Sequence, residues 1–161
     1  MADMNCKKDL ELLTLRELAA GDELLLNEFF DQMGGESRAL FNRRDYNRKG
    51  VLKQCSRPDP ARRYWLALLE GRMAGYVFFL DWSTGVPELG LAVRDELQGR
   101  HLGRRLVEFA LQEAKNAGKG GVVLTTHLAN LRAQALYESC GFRQMGVGKN
   151  GTEFLYLYRF S

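Results

Sequence analysis

Residues 87–126 limit the fold more than any other part of the chain. Pro87–Val93 (PELGLAV) reads as a strand whose proline sits at the first position, where a missing N–H is tolerated. Arg94–Gly99 reads as a loop. Leu102–Ala117 then carries apolar residues at helical spacing. Leu102, Leu106, Phe109, Ala110 and Ala114 form the inner stripe; Arg104, Arg105, Glu108, Gln112 and Lys115 form the outer face. Gly118 and Gly120–Gly121 stop the helix. Val122–Thr126 (VVLTT), short and β-branched, reads as a buried strand. A strand, a long helix and a second strand in this order predict a parallel pair joined by a right-handed crossover.

The flanking segments predict antiparallel additions. Leu10–Leu15 reads as a first strand and Gly21–Met33 as a helix, with Leu25, Leu26, Phe29, Phe30 and Met33 on one face. Ser37–Phe41 reads as a short helix. Residues 42–63 are polar, basic and poor in pattern, with room for a further helix; connections of this length are often functional lids. Arg63–Glu70 and Met73–Trp82 form a hairpin by pattern, turning at Glu70-Gly71-Arg72. Asn130–Cys140 reads as a helix ended by Gly141, and Phe142–Val147 and Phe154–Tyr158 as two last strands around a Lys149-Asn150-Gly151 turn. The predicted class is α/β: a mixed, mostly antiparallel sheet of about six to seven strands, with a central parallel pair and helices on both faces.

Composition narrows the function classes. With 161 residues, 45% of them hydrophobic, the chain can bury a core as one domain over residues 1–161 without disulfides or metal. Cys6, Cys55 and Cys140 form no CxxC pair and no ligand cluster with His101 or His127, which points to a reducing compartment and no structural metal. No apolar signal core or membrane-length run is seen, so a cytoplasmic protein without a membrane partner is expected. The net charge of +3 is mild. Basic residues cluster in Arg43–Arg63, but without aromatic interleaving they do not predict a nucleic-acid partner.

A second basic cluster, Arg100, His101, Arg104 and Arg105, crowds the start of the long helix. Cations at a helix N-terminus cost roughly 0.3–1 kcal/mol each. Gly99 and Gly103 bracket the turn, where unpartnered N–H groups, the helix dipole and flanking arginines together form an anion site. A bound phosphate would neutralise the misplaced cations; a solvated helix end with a mild penalty is the competing reading. The pattern is neither GxxxxGK[ST] nor GxGxxG, which disfavours a nucleotide held in either of those ways.

Gln98-Gly99-Arg100-His101-Leu102-Gly103, between strand and helix, resembles the pyrophosphate loop [QR]-x-x-G-x-[GA] of the GCN5-related N-acetyltransferase family, with His101 in place of the family's first glycine. Asn130 to Phe142 (NLRAQALYESCGF) resembles the family's later helix, N-x-x-A-x-x-L-Y-x-x-x-G-F. Helical spacing places Asn130, Ala133 and Tyr137 on one stripe. The resemblance covers roughly residues 60–160. It implies acetyl-CoA as co-substrate, held by the backbone of Leu91, Ala92 and Val93, by the loop residues Gln98, Gly99, Arg100, His101, Leu102, Gly103 and Arg104, and by Asn130, Ala133 and Tyr137.

The implied reaction is acetyl transfer to a primary amine, on a small molecule or a protein lysine, by direct attack. Some members, including certain bacterial protein-lysine acetyltransferases, are similar around Glu88, with A-E-x-x-x-x-V leading into the loop. Ser37–Phe41 (SRALF) is also similar to that group. Glu88 then reads either as a general base or as a strand residue at a solvent edge. An amine with a reference pKa of about 10.4 needs such a base, and a leaving thiolate with a reference pKa of about 8.5 can take a proton from a phenol, the role expected of Tyr137. Cys140 reads as a buried filler, not an acyl carrier. The acceptor is expected against Phe29–Phe41, residues 42–62 and the strand ends near Trp82. Acyl-CoA binding without turnover is the alternative function, and pairing as a homodimer is compatible with either.

Overall fold

The computed structural model describes residues 11–34, 48–99, 101–148 and 151–161. Its strands are β1 (Thr14–Glu17), β2 (Arg63–Leu69), β3 (Arg72–Leu80), β4 (Glu88–Val93), β5 (Gly121–His127), β6 (Arg143–Val147) and β7 (Glu153–Arg159). Its helices are α1 (Glu23–Asp31), α2 (Arg48–Ser56), α3 (Leu102–Asn116) and α4 (Leu131–Ser139), with a 3₁₀ turn at Asp95–Leu97. The strands form one seven-stranded sheet in the order β1-β2-β3-β4-β5-β7-β6, antiparallel throughout except for the parallel pair β4–β5. The predicted class and the central crossover are both observed.

Both faces of β2 and β3 are buried, and for this reason their sequences are continuous apolar runs rather than alternations. Trp65, Ala67, Ala74, Val77 and Phe79 point to one face, under Leu102, Leu106, Val107 and Ala110 of α3 and Tyr137 of α4. Tyr64, Leu66, Met73, Tyr76 and Phe78 point to the other, under Leu26, Phe29 and Phe30 of α1 and Val51 and Cys55 of α2. The hairpin between β2 and β3 turns through Glu70 and Gly71, both at positive φ (53° and 79°), the geometry that matches strand twist.

Several boundaries differ from the sequence expectations. The first strand lies at Thr14–Glu17, not Leu10–Leu15: it is the stretch that registers with Trp65–Leu68 of β2. The basic segment does contain a helix, α2, whose apolar signal reduces to Val51 and Cys55 one turn apart. In α3 the buried stripe includes Val107, while Phe109 is half-buried and packs edge-on against Trp65 at 5.7 Å. The short helix expected at Ser37–Phe41 and the turn residues Lys149 and Asn150 lie outside the described residues.

Two features fix the α1 side. Asp22 takes both guanidinium nitrogens of Arg16 at 2.9 and 2.7 Å and the Ala19 N–H at 2.8 Å, joining β1 to the start of α1. Gly90 leaves space for Phe78: a Cβ there would sit 2.2 Å from the ring.

Gly90→Ala should therefore destabilise the fold by about 1–3 kcal/mol, the usual range for overpacking, measured by denaturant unfolding. Arg16 holds the Asp22 carboxyl below its ordinary range. A depressed folded-state pKa contributes stability above the unfolded value of about 4 that is lost as pH falls through the folded value. Asp22→Asn should lower Tm near neutrality and flatten its decline below about pH 4, as thermal melts across that range would show.

Candidate acetyl-donor cleft

The sheet opens at its centre. β4 and β5 are in register only at Glu88 and Val123, where the Val123 N–H donates to the Pro87 carbonyl at 3.0 Å and the Gly120 N–H to the Gly85 carbonyl at 2.8 Å. Beyond that point β4 stays bonded to β3 and β5 to β7, and the two central strands are no longer in register with each other. A cleft of about 650 Å³ occupies the gap, walled by Leu89–Val93 of β4, Thr125–His127 of β5, the start of α3 and one side of α4.

The start of α3 is built as an anion site. His101 is its N-cap and makes no side-chain cap bond, no acidic residue lies in the first turn, and His101, Gly103 and Arg104 line the cleft. His101 stands at φ 64° and ψ 7°, in the left-handed region. This explains the glycine found there in the family pattern: the position requires a backbone that costs a residue with a Cβ about 1–2 kcal/mol. The imidazole is exposed. Gly103 lets α4 approach, since a Cβ would meet Leu136 at 3.0 Å.

Three side chains organise this end. Gln98 donates to the Val93 carbonyl at 3.2 Å and to Asp95 at 3.4 Å, and accepts from Arg132 at 2.7 Å. Arg104 folds along its own helix to Glu108 at 3.0 Å and across to the Ser139 hydroxyl at 3.3 Å. Glu108 thus offsets part of the charge that made the helix start anomalous, and Arg132 brings a further cation from α4. Arg132 carried no signal in the sequence; only the packing of α4 against the loop brings it there.

Gln98, Gly99, His101, Gly103, Arg104, Asn130, Ala133 and Tyr137 all line the cleft, as do Leu91, Ala92 and Val93. Leu102 is buried in the core and does not line the cleft, and Arg100 lies outside the described residues. Asn130 is not part of the helical stripe. It is the N-cap of α4, and its side chain accepts the Ala133 N–H at 3.2 Å. Tyr137 satisfies both readings of a helix tyrosine: it is 7% exposed, packs on Phe142 at 5.9 Å, and still borders the cleft.

Glu88 is half-buried at the closed end of the gap and is not among the lining residues. Strand alternation gives it the same face as Gly90 and Ala92, opposite α3. Thr125, His127 and Glu153 stand on that face and do line the cleft. The Thr125 hydroxyl is buried without a hydrogen-bond partner among the described residues, a condition native structures rarely leave unexplained. His127 accepts the Ala129 N–H on Nδ1 at 3.0 Å, which leaves Nε2 for a ligand. Trp82, expected near the acceptor, is instead held between Arg63 at 5.1 Å and Lys119 at 4.7 Å on the α3 side, away from the cleft lining. Burial pushes the Cys140 thiol above its ordinary value, against service as a nucleophile.

The family model for the acetyltransferase (GNAT) family matches residues 23–142, and the chain belongs to that family. The family is one of acetyltransferases. Among curated relatives, N-acetylaspartate synthetase of Mus musculus is 34% identical over 102 residues, covering 60% of this chain and 33% of that protein. The chain thus spans about a third of the length of that relative. Two solved structures share the fold. The GNAT domain of S. lividans PAT has a TM-score of 0.79 at 19% identity, covering 91% of this chain and 89% of the domain. The PaiA N-acetyltransferase of Thermoplasma acidophilum, solved in complex with coenzyme A, has a TM-score of 0.75 at 18% identity, covering 92% and 99%.

His101→Gly should relieve the left-handed strain and stabilise the protein by about 1 kcal/mol in denaturant unfolding. Because the loop offers backbone N–H, coenzyme A affinity by calorimetry should be equal or better. Loss of binding in a fully folded variant would make the imidazole itself a ligand.

Proposed function

We propose that the protein transfers an acetyl group from acetyl-CoA to a primary amine by direct attack within a ternary complex. The observation that carries this reading is the cleft between β4 and β5, which joins an uncapped helix N-terminus to an unpaired strand edge. The residues suit the co-substrate in three respects. The α3 start with Arg104 and Arg132 suits a pyrophosphate. The edge of β4 from Leu89 to Val93 suits an extended arm bearing amides. Thr125 and His127 border the gap and bring polar side chains to its wall.

The two faces of the sheet then divide the work. Phosphates would lie on the α3 face, the thioester would reach the gap, and the amine would arrive from the face of Gly90, Ala92, Thr125 and His127. Glu88 is on that second face, so it is the proposed base, acting through a water because it does not itself border the cleft. A backbone N–H of Leu91–Val93 is the proposed donor to the oxygen that gains charge in the tetrahedral intermediate. Tyr137 is the proposed proton donor to the departing thiolate. Among the described residues, free Cys55 and Cys140 go with a reducing compartment, and the cytoplasm is the proposed location.

The distance of Glu88 from the cleft lining is the observation that favours the alternative, acyl-CoA binding without turnover. Thiol release measured over a panel of small amines, α-amino acids and lysine peptides separates the two: binding by calorimetry with no thiol release from any amine would establish a sensor.

Tyr137→Phe should lower turnover by about 10²–10⁴-fold with acetyl-CoA affinity nearly intact, since the ring still packs. Glu88→Gln should lower the rate most near neutrality, and the deficit should shrink as pH rises and free amine becomes abundant; an unchanged pH–rate profile would move the base elsewhere. Arg104→Glu should weaken coenzyme A binding, whereas Lys115→Glu, about three turns further along α3, should not.

A further inference from the structure

The two residues that follow β4 both reach across to α1 and the segment after it. Arg94, whose side chain is 4% exposed, donates to the Met73 carbonyl at 2.9 Å, pairs with Glu28 of α1, and lies 5.7 Å from the Phe29 ring centre. Its Nη2, joined by Arg72, holds the Glu28 carboxyl below the ordinary range. Asp95 accepts the Gly34 N–H on Oδ2 at 2.7 Å, and its Oδ1 accepts the Gln98 amide at 3.4 Å. The fit at Gly34 is close: a Cβ there would fall 2.4 Å from the Asp95 oxygen.

Gln98 continues the chain. Its other amide atom accepts from Arg132 of α4 at 2.7 Å. Polar contacts therefore run without a break from α4, through the anion loop, to Gly34. Arg132, Gln98 and Met33, the residue before Gly34, all border the cleft. α1 covers the sheet face opposite α3, so this chain joins the coenzyme end of the cleft to the acceptor face.

On the reading proposed above, we propose that Asp95 is a positioning residue that couples the two substrates: occupancy of the α3 start orders the loop, and Asp95 passes that order to Met33–Gly34, setting the acceptor-side wall. Arg132 is the entry point. Its guanidinium has a neutral amide oxygen as its partner at Gln98, and a phosphate at the α3 start is a stronger, charged one. Ligand binding that rigidifies one part of a fold lowers the ordering cost for the next ligand, and the coupling is reciprocal, so each substrate should tighten the other. Asp95 touches no reacting atom in this scheme.

The test is amide hydrogen exchange with and without saturating coenzyme A, followed in peptides covering 28–34 and 95–104, with affinity measured in parallel by calorimetry. In the wild type, coenzyme A should slow exchange in both peptides. Asp95→Ala should keep affinity within a few-fold and keep the loop protection, but lose the protection of 28–34. Asp95→Asn, which retains an acceptor for the Gly34 N–H, should restore it. Gly34→Ala breaks the same link from the other side and should reproduce the loss even where Asp95→Ala fails to fold. Protection of the loop alone in the wild type, or protection of 28–34 that survives both Asp95→Ala and Gly34→Ala, would overturn the coupling. Absence of any heat on titration with coenzyme A would instead sink the functional reading on which it rests.

Discussion

The structure depends on one strand pairing that stops early. β4 and β5 meet at Glu88 and Val123 and then part, while each stays bonded to its outer neighbour, β3 on one side and β7 on the other. A sheet interior normally satisfies every backbone group. Here the divergence leaves inner strand edges for a ligand with its own amides to meet. The closed end, bonded through Gly85, Pro87, Gly120 and Val123, keeps the gap from running the length of the sheet.

The right-handed crossover through α3 turns that gap into a site. It brings the helix back over the sheet with its N-terminus at the open end, so the electropositive end of the helix and the unpaired strand edge converge. α4 then packs onto the α3 start where Gly103 lacks a side chain, and carries Arg132, Ala133 and Tyr137 to the same cleft. Neither the basic residues nor the glycines are anomalous once that convergence is present. The cations flank a helix end whose N-cap makes no side-chain bond, Gly99 stands at φ 80° where a Cβ would strain the backbone, and Gly103 stands where a Cβ would crowd Leu136.

The two sheet faces are built from different parts of the chain. The α3–α4 face is built from residues 87–142, where the family pattern is dense. Among the described residues, the opposite face is covered by α1 and α2 over β2, β3 and Ala92 of β4, and Thr125, His127 and Glu153 of β5 and β7 stand at the cleft. Arg94 and Asp95, immediately after β4, are the links between these halves.

The local signals in the sequence were sufficient for the central unit. Proline at the start of β4, the stripe of α3, the glycine stop and the β-branched β5 each follow from backbone and burial physics acting within one element, and residues of the loop and α4 motifs line the central cleft. What lay beyond reach was decided by contacts between distant elements. The left-handed backbone at His101 reflects the turn that α3 must make to pack. Asn130 became a cap because α4 starts one residue later than its pattern suggests. Thr125 and His127 entered the cleft because β5 parts from β4, and Arg132 because Gln98 lies 34 residues away in sequence but 2.7 Å away in space. Periodicity can assign a residue to a face, but only the register and divergence of the strands, set by the whole sheet, decide which faces meet at an opening.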